Sequence, residues 1–498
     1  MRRYWKSAML FLLFVLIACE PKTPPVEELP DNGTIEQGDI MLFPKSEYGY
    51  IGDPMPLYNN GVMNVFYLLD ERRGSIGFHP VALLQTTNFY EWDDIGTVIP
   101  YVNSISSQDL AIGTGSVIQD SEGLYHAFYT GHNGTGEMEY FEKIQHATSE
   151  DMIEWTKHPD AGFYGGVNDF RDPYIFYHEE SEEYWMLITT RDYSGGVIRR
   201  YSSTDLWTWK NEGVFYRNTD GNYNMECPTL IEYNGYYYLS FSAQGSGNER
   251  VVHYRYTDNL DDGFITPEND TFDGWGFYAG RIEYFQERLL LQGWVATKTL
   301  AIDQGDYMWG GHLITHELIQ REDGQLDVKL LTEIDTLLSH EVQYDVVSSN
   351  TTQTPSGFTM DKAVGYEYVL FEDLLERPTK MSFTVQLSET SQFGLTFNAY
   401  ETEFGDLNIL FNVESNRLEF YKVDVNRITS SNPEISIPFD FSQTLELDCV
   451  LVTEGDILIL YVNDQMALTS RAYNMSDSPF GFFTMGSEAT ITNIHFYE

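Results

Sequence analysis

The sequence predicts an all-β chain: a five-bladed β-propeller followed by an antiparallel β-sandwich. Three observations predict it. Helical periodicity is almost absent, and short runs of β-branched and aromatic residues alternate with Gly, Asn and Asp turns. Aromatic content is high at 15%, with 35 Tyr, 31 Phe and 9 Trp, which suits β-structure and sugar-stacking clefts equally. Segments 86–92, 148–155 and 202–209 resemble one another, each closing on a Trp (Trp92, Trp155, Trp209) that reads as a repeated core residue.

The amino-terminal residues read as an address and not as structure. Arg2, Arg3 and Lys6 precede an apolar stretch over 9–18 that is too short to span a bilayer stably. It ends Leu16-Ile17-Ala18-Cys19, which resembles the lipobox of bacterial lipoproteins. That resemblance implies a signal peptide over 1–18, cleavage before Cys19 and lipidation of its thiol. Residues 19–38, rich in Pro and Glu, then read as a flexible linker. The expected location is extracytoplasmic, tethered by lipid to the bacterial cell membrane or surface. Lys plus Arg is 29 against 76 Asp plus Glu, a net charge of −47. A nucleic-acid partner is excluded, since phosphate neutralisation needs a basic face. Three cysteines cannot make a disulfide framework.

Residues 39–335 hold the propeller. Five segments each run from an extended stretch through a polar turn to an aromatic strand. They begin at Gly52-Asp53-Pro54, Gly115-Ser116-Val117, Arg171-Asp172-Pro173, Met225-Glu226-Cys227-Pro228 and Phe277-Tyr278-Ala279-Gly280. Roughly 60 residues per copy suits a blade of four short strands. The acids of these copies fall at one place. Asp53 and Asp172 each precede a Pro, Glu226 stands two before Pro228, and all open their blade's first extended run. Innermost propeller strands line one channel, so equivalent strand ends converge on one mouth. Crowded carboxylates repel. A glycosidase needs such a group, one carboxylate as nucleophile or base and one as protonated acid.

At these residues the chain resembles glycoside hydrolase family 32, the invertase, inulinase and levanase family. Phe170-Arg171-Asp172-Pro173 is similar to its Arg-Asp-Pro motif and Glu226-Cys227-Pro228 to its Glu-Cys motif. Thr114-Gly115-Ser116 with Phe128-Tyr129-Thr130-Gly131, and Asp273-Gly274 with Phe277-Tyr278-Ala279 and Gly293-Trp294, resemble further segments in the family's order. The resemblance implies a retaining hydrolase of β-fructofuranosidic bonds, with no cofactor or metal. It assigns Asp53 as nucleophile, Glu226 as general acid and then base, and Asp172 as transition-state stabiliser. Arg171, Ser116 and Tyr278 are implied sugar contacts, and His79 is a further candidate facing the cleft. The chain also departs from the pattern. Gly52 stands where the family usually has Asn, Leu68 replaces a common Gln after Phe66-Tyr67, and Gly113 replaces an aromatic residue.

Residues 336–365 are polar and read as a connector. From 366 to 498 the pattern is strand after strand, with Leu445, Leu447, Cys449 and Leu451 alternating with polar residues, as in a sheet with one buried face. Family 32 enzymes carry such a module after the propeller. His312 and His316 stand four apart, but the flanking Gly310-Gly311 and Leu313-Ile314 indicate a strand and not a metal-binding helix. The expected partner is an oligo- or polysaccharide. Related propeller glycosidases acting on arabinosides or xylosides, a fructosyltransferase, and a non-catalytic glycan-binding lipoprotein are the competing readings.

Overall fold

Strand Tyr50–Asn59 turns through Asn60-Gly61 into Val62–Asp70, and this two-strand unit sets the plan of the first half of the molecule. In the computed structural model, residues 40–498 are described except 73–78, 220, 222, 246, 375–376, 400–404, 474 and 477. The signal peptide, Cys19 and the linker lie outside the described residues. Ile40–Glu498 forms one compact unit.

Five antiparallel sheets follow in chain order. The first contains Tyr50–Asn59, Val62–Asp70, Val81–Thr86 and Asp93–Ile99. The second contains Ala111–Gln119, Tyr125–His132, Glu142–Ser149 and Thr156–Lys157, and the third Asn168–His178, Glu183–Asp192, Gly195–Ser203 and Lys210–Arg217. The fourth contains Met225–Tyr233, Tyr236–Ala243 and Val252–Thr257, and the fifth Phe277–Phe285, Arg288–Lys298, Tyr307–Gln320 and Leu326–Lys329. The first strands of successive blades touch, and that of blade 5 touches that of blade 1, so they form a closed ring. Pairing of Ile51 with Gly311 also joins blades 1 and 5 into one sheet.

Blade 4 differs from the four-strand expectation. Its outer edge is reduced to two bridges, Tyr256 with Ile265 and His253 with Thr271. Pro267 lies between them and offers no N–H to a ladder. The repeated turns have a common geometry. Thr86, Ser149 and Ser203 each accept, through the side-chain oxygen, the N–H three residues on. Those residues, Phe89, Met152 and Leu206, adopt φ of 64°, 67° and 62°. The Trp that closes each segment packs in the blades: Trp92 on Phe89, Trp155 on Phe66 and Trp209 on Phe128. Blade 4 differs here too: Thr257 accepts from the N–H two residues on, Asn259, at 3.1 Å, and no Trp follows within the next ten residues.

The second half is a sandwich of two antiparallel sheets. One runs Thr352–Thr354, Gly357–Met360, Ala489–Tyr497, Thr379–Leu387, Glu446–Glu454, Ile457–Val462, Met466–Arg471, with Glu341–Val342 also beside Ala489–Tyr497. The other runs Val346–Ser349, Tyr366–Asp373, Pro479–Met485, Gln392–Phe397, Leu407–Asn412, Arg417–Tyr421, Ile435–Pro438. Between them lies a Phe-rich core that includes Phe383, Phe393, Phe411, Phe480 and Phe482. The segment 336–365, expected as a connector, is corrected: it supplies short strands to both sheets. Glu341–Val342, Val346–Ser349 and Thr352–Thr354 are short and mostly exposed, so no buried face marked them in the sequence; Gly357–Met360 lies inside its sheet and buries Phe358 and Met360, a pattern of only four residues.

The two halves share a core. Val452, Ile457, Ile459, Tyr461 and Ala467 of the sandwich pack with Leu313, Ile314 and Val328 of blade 5. Polar groups are matched across the contact. Asp273 accepts from Thr469 N–H at 2.9 Å and takes the Thr469 hydroxyl as well. Lys298 Nζ meets Glu434 at 3.1 Å, and Arg471 donates to Ala296 O at 2.7 Å. His312 and His316 serve this contact, through Arg471 at 2.8 Å and Tyr461 at 2.9 Å.

Candidate active site

Every inner strand breaks register with its neighbour near the same end. The irregularity falls between Gly52 and Met55, Gly113 and Gly115, Arg171 and Tyr174, Glu226 and Thr229, and Tyr278 and Arg281. Such a bulge re-aims side chains at a barrel or propeller rim. Four bulge residues, Asp53, Asp172, Cys227 and Ala279, adopt left-handed φ of 41°, 56°, 52° and 54°. This costs a non-Gly residue of the order of 1–3 kcal/mol and persists where the surroundings enforce it.

The bulges create two tiers. One holds Gly52, Gly113, Arg171, Glu226 and Tyr278; the next residues, Asp53, Thr114, Asp172, Cys227 and Ala279, form the other, and in blades 2 to 5 these are the more buried. The single register expected for the three acids is thereby corrected. Cys227, and not Glu226, is equivalent to Asp53 and Asp172, because each of these three residues directly precedes a Pro. Glu226 is equivalent to Arg171 and Tyr278, and it contacts both.

A pocket of about 400 Å³ opens over these tiers, room for a sugar ring. Asp53, Asp172, Glu226, Arg171, Tyr278 and His79 all line it. Glu226 accepts from Arg171 Nη2 at 3.0 Å on one oxygen and from the Tyr278 hydroxyl at 2.6 Å on the other. Arg171 also faces Asp169 at 3.2 Å and Glu142 at 3.6 Å. Asp53 accepts from Trp294 Nε1 at 3.1 Å, and Asp172 accepts from Cys227 N–H at 3.1 Å. Backbone bonds fix the frame. Thr114 donates to Asp53 O at 3.2 Å, Thr130 accepts from Asp172 N–H at 3.0 Å, and Thr189 donates to Met225 O at 2.7 Å.

Burial, reinforced by the nearby Glu226, pushes the Asp53 carboxyl up to about 6; the Trp294 hydrogen bond, Arg250 and Arg281 work in the opposite direction. Burial also raises Asp172, and so do Glu226 and Asp53, while Arg171 and the Cys227 N–H oppose. Burial disfavours charge on Arg171, but Asp172, Glu226 and Glu142 outweigh it and keep the guanidinium charged. The Cys227 thiol is raised by burial and stays protonated, a packing residue as its sequence context suggests. Together these groups make a site with three hydrogen-bonded carboxyls in different environments.

Ser116 is placed elsewhere. Its hydroxyl donates to Pro173 O at 3.1 Å and accepts from Ile175 N–H at 3.0 Å, so it stitches blade 2 to blade 3 away from the pocket wall. Gly113 and Thr114 line the wall instead. Tyr278 reaches the pocket, but its hydroxyl is committed to Glu226. His79 stacks on Trp309 with ring centres 4.2 Å apart, and burial lowers its pKa, favouring the neutral ring. Gly52 has a steric reason, since a Cβ there would lie 2.1 Å from the Trp309 indole. Glu142, Gln244, Arg250 and Trp309 also line the pocket. Sequence reasoning missed them, for they come from second or third strands and loops, outside the repeated motifs.

A five-bladed propeller with a carboxylate-lined axial pocket and a trailing sandwich defines a class, the propeller glycosidases. The description of the glycosyl hydrolases family 32 N-terminal domain matches residues 44–327. The sucrose-6-phosphate hydrolase of Vibrio alginolyticus is 24% identical over 400 residues, covering 76% of this chain and 78% of that one. Its Escherichia coli counterpart is 23% identical, covering 72% and 74%. In structure, the β-fructofuranosidase of Bombyx mori aligns with a TM-score of 0.68 at 17% identity, over 93% of this chain and 95% of that one. Fructan 1-exohydrolase IIa of Cichorium intybus aligns at 0.69 and 16% identity, over 92% and 96%. The chain belongs to glycoside hydrolase family 32, and it is a retaining glycoside hydrolase of β-fructofuranosidic bonds in sucrose or fructans.

Proposed function

We propose that Asp53, Glu226 and Asp172 divide the reaction between them as follows. The Asp53 carboxylate attacks the anomeric carbon of a fructosyl unit while the bond to the leaving oxygen breaks. Glu226 gives its proton to that oxygen, and the leaving sugar departs as an alcohol. A water then enters. Glu226, now ionised, takes one of its protons, the water oxygen bonds to the anomeric carbon, and the ester to Asp53 breaks. Two displacements at one carbon retain configuration. Asp172 holds fructose hydroxyls, and Arg171 offsets the charge of the crowded acids while presenting further donors.

The observation that carries this reading is the meeting of Asp53, Glu226 and Asp172 in one pocket. Glu226 is held by Arg171 and Tyr278, Asp53 accepts from Trp294, and both carboxyls open into that pocket. Names of relatives point to sucrose-type and fructan substrates. The test is fructose release from sucrose, inulin and levan, with Glu226→Gln as the blank. Release that vanishes in the variant supports the assignment; a variant retaining most activity removes it.

The same reading places the enzyme outside the cytoplasmic membrane, a lipoprotein held at the cell surface through Cys19. The short apolar stretch ending at Cys19 supports this. Cys19→Ser is expected to move the protein from the membrane fraction to the soluble one. An unchanged membrane fraction would remove the anchor.

A further inference from the structure

Arg250 follows the short turn Gly247–Glu249 in blade 4, and its N–H is bonded to Gly247 O at 2.9 Å. Its guanidinium carbon lies 3.3 Å from the centre of the Tyr278 ring and 5.3 Å from that of Trp294. These two rings are the donors that hold the reacting carboxyls: Tyr278 bonds Glu226 at 2.6 Å and Trp294 bonds Asp53 at 3.1 Å. Among the described residues, the guanidinium forms no hydrogen bond or ion pair of its own. One cation thus faces both aromatic donors, and nothing else is seen to hold it there.

We infer that Arg250 is a positioning residue: it pins Tyr278 and Trp294, acts through them on Glu226 and Asp53, and sets the pH window of the reaction. This rests on the reading that those two carboxyls react. A cation on a ring face is attracted by the ring's quadrupole and draws electron density from it, which strengthens the ring's O–H or N–H as a donor. The positive charge also favours the ionised form of the Asp53 carboxyl. Other charged or titratable groups face the same pair: Arg171 and Asp172 of blade 3, Cys227 of blade 4, and Arg281 of blade 5. Glu142 of blade 2 faces Arg171. Arg171 is already shared among Glu226, Asp169 and Glu142. Arg250 has no such competitor.

The sign follows. Asp53 must be ionised to attack and Glu226 protonated to donate, so kcat/KM against pH is a bell. Removing the Arg250 charge raises Asp53, so the limb that Asp53 sets moves to higher pH.

The experiment is that profile on sucrose for the full chain, Arg250→Gln and Arg250→Lys. Arg250→Gln is expected to move the Asp53 limb up by roughly one pH unit. Arg250→Lys keeps the charge, so its limbs stay near those of the parent while kcat falls with loss of the planar stack. An unmoved Asp53 limb in Arg250→Gln would overturn the inference, whether KM rises, as for a substrate contact, or activity merely declines, as for a structural role. A second readout needs no turnover. Tryptophan fluorescence titrated against pH, with Asp53→Asn as the blank, follows Asp53 through Trp294. Its midpoint is expected to rise in Arg250→Gln, and an unchanged midpoint overturns the inference even if no tested fructoside is cleaved. Absence of fructose release by the parent would count against the fructosidase reading alone.

Discussion

The Asp53 carboxyl binds its proton more tightly in the folded protein, up to about 6, than in the unfolded chain. Its stabilising contribution is therefore complete at low pH and lost as pH rises through that value. Asp53→Asn should accordingly raise stability at pH 7 by roughly 1–3 kcal/mol, with the gain fading near pH 4. Thermal unfolding of both proteins across this range checks it, and a variant less stable at pH 7 would contradict the burial argument. The same substitution should reduce turnover by several orders of magnitude. Tyr278→Phe deletes the 2.6 Å hydrogen bond to Glu226 without opening a cavity of note. A lost hydrogen bond to a charged group is worth about 1.5–3 kcal/mol, so kcat/KM should fall by roughly ten- to a hundredfold. A fall in kcat with little change in KM would place its effect on the acid; a change in KM alone would restore a direct sugar contact. Asp53, Asp172 and Glu226 were readable from sequence because each stands in a repeated context. Arg250 and Trp309 were not, because nothing in their neighbours repeats.

At the scale of the element, the five bulges decide which side chains face the pocket. A sequence aligned on strand starts puts Asp53, Asp172 and Glu226 together. The folded strands put Asp53, Asp172 and Cys227 together and leave Glu226 one position earlier. One residue is enough to change which way a strand side chain points, and a bulge changes it again. Ser116 shows the consequence. Its hydroxyl is spent on the backbone of blade 3, so Ser116→Ala should lower stability by about 1–2 kcal/mol and leave KM nearly unchanged. Urea unfolding together with sucrose kinetics tests this, and a raised KM at unchanged stability would return Ser116 to the sugar. The turn after the third strand was legible in blades 1 to 3 because a Trp closes it. In blade 4 the third strand ends at Thr257 in a different turn, whose oxygen takes the N–H two residues on, and no Trp closes it, so the pattern of blades 1 to 3 is missing there.

At the scale of the whole molecule, the sandwich is fastened to blade 5 by a shared apolar core and buried charge. The Lys298 side chain is wholly buried and faces Glu434, whose other oxygen meets Lys422 at 2.9 Å. Breaking a buried pair leaves an uncompensated charge and costs about 3–5 kcal/mol. Glu434→Ala is therefore expected to lower the unfolding temperature of the whole unit, by calorimetry, while a propeller transition that stays in place would show the halves to be energetically separate. The amino-acid sequence by itself determined the β-class, the five repeats, the trailing strands and the identity of the three acids. Each is a matter of local pattern: strand periodicity, turn residues and a motif repeated within one short segment. Only the tertiary structure decided the two tiers, the gripping of Glu226 by residues from blades 3 and 5, and the charge that Arg250 sets over both aromatic donors. It also turned the polar 336–365 stretch into short strands of both sandwich sheets and joined the ends of the ring at Ile51 and Gly311. These pairings lie far apart along the chain and leave no periodic trace in it, since they arise only when the strands are brought side by side.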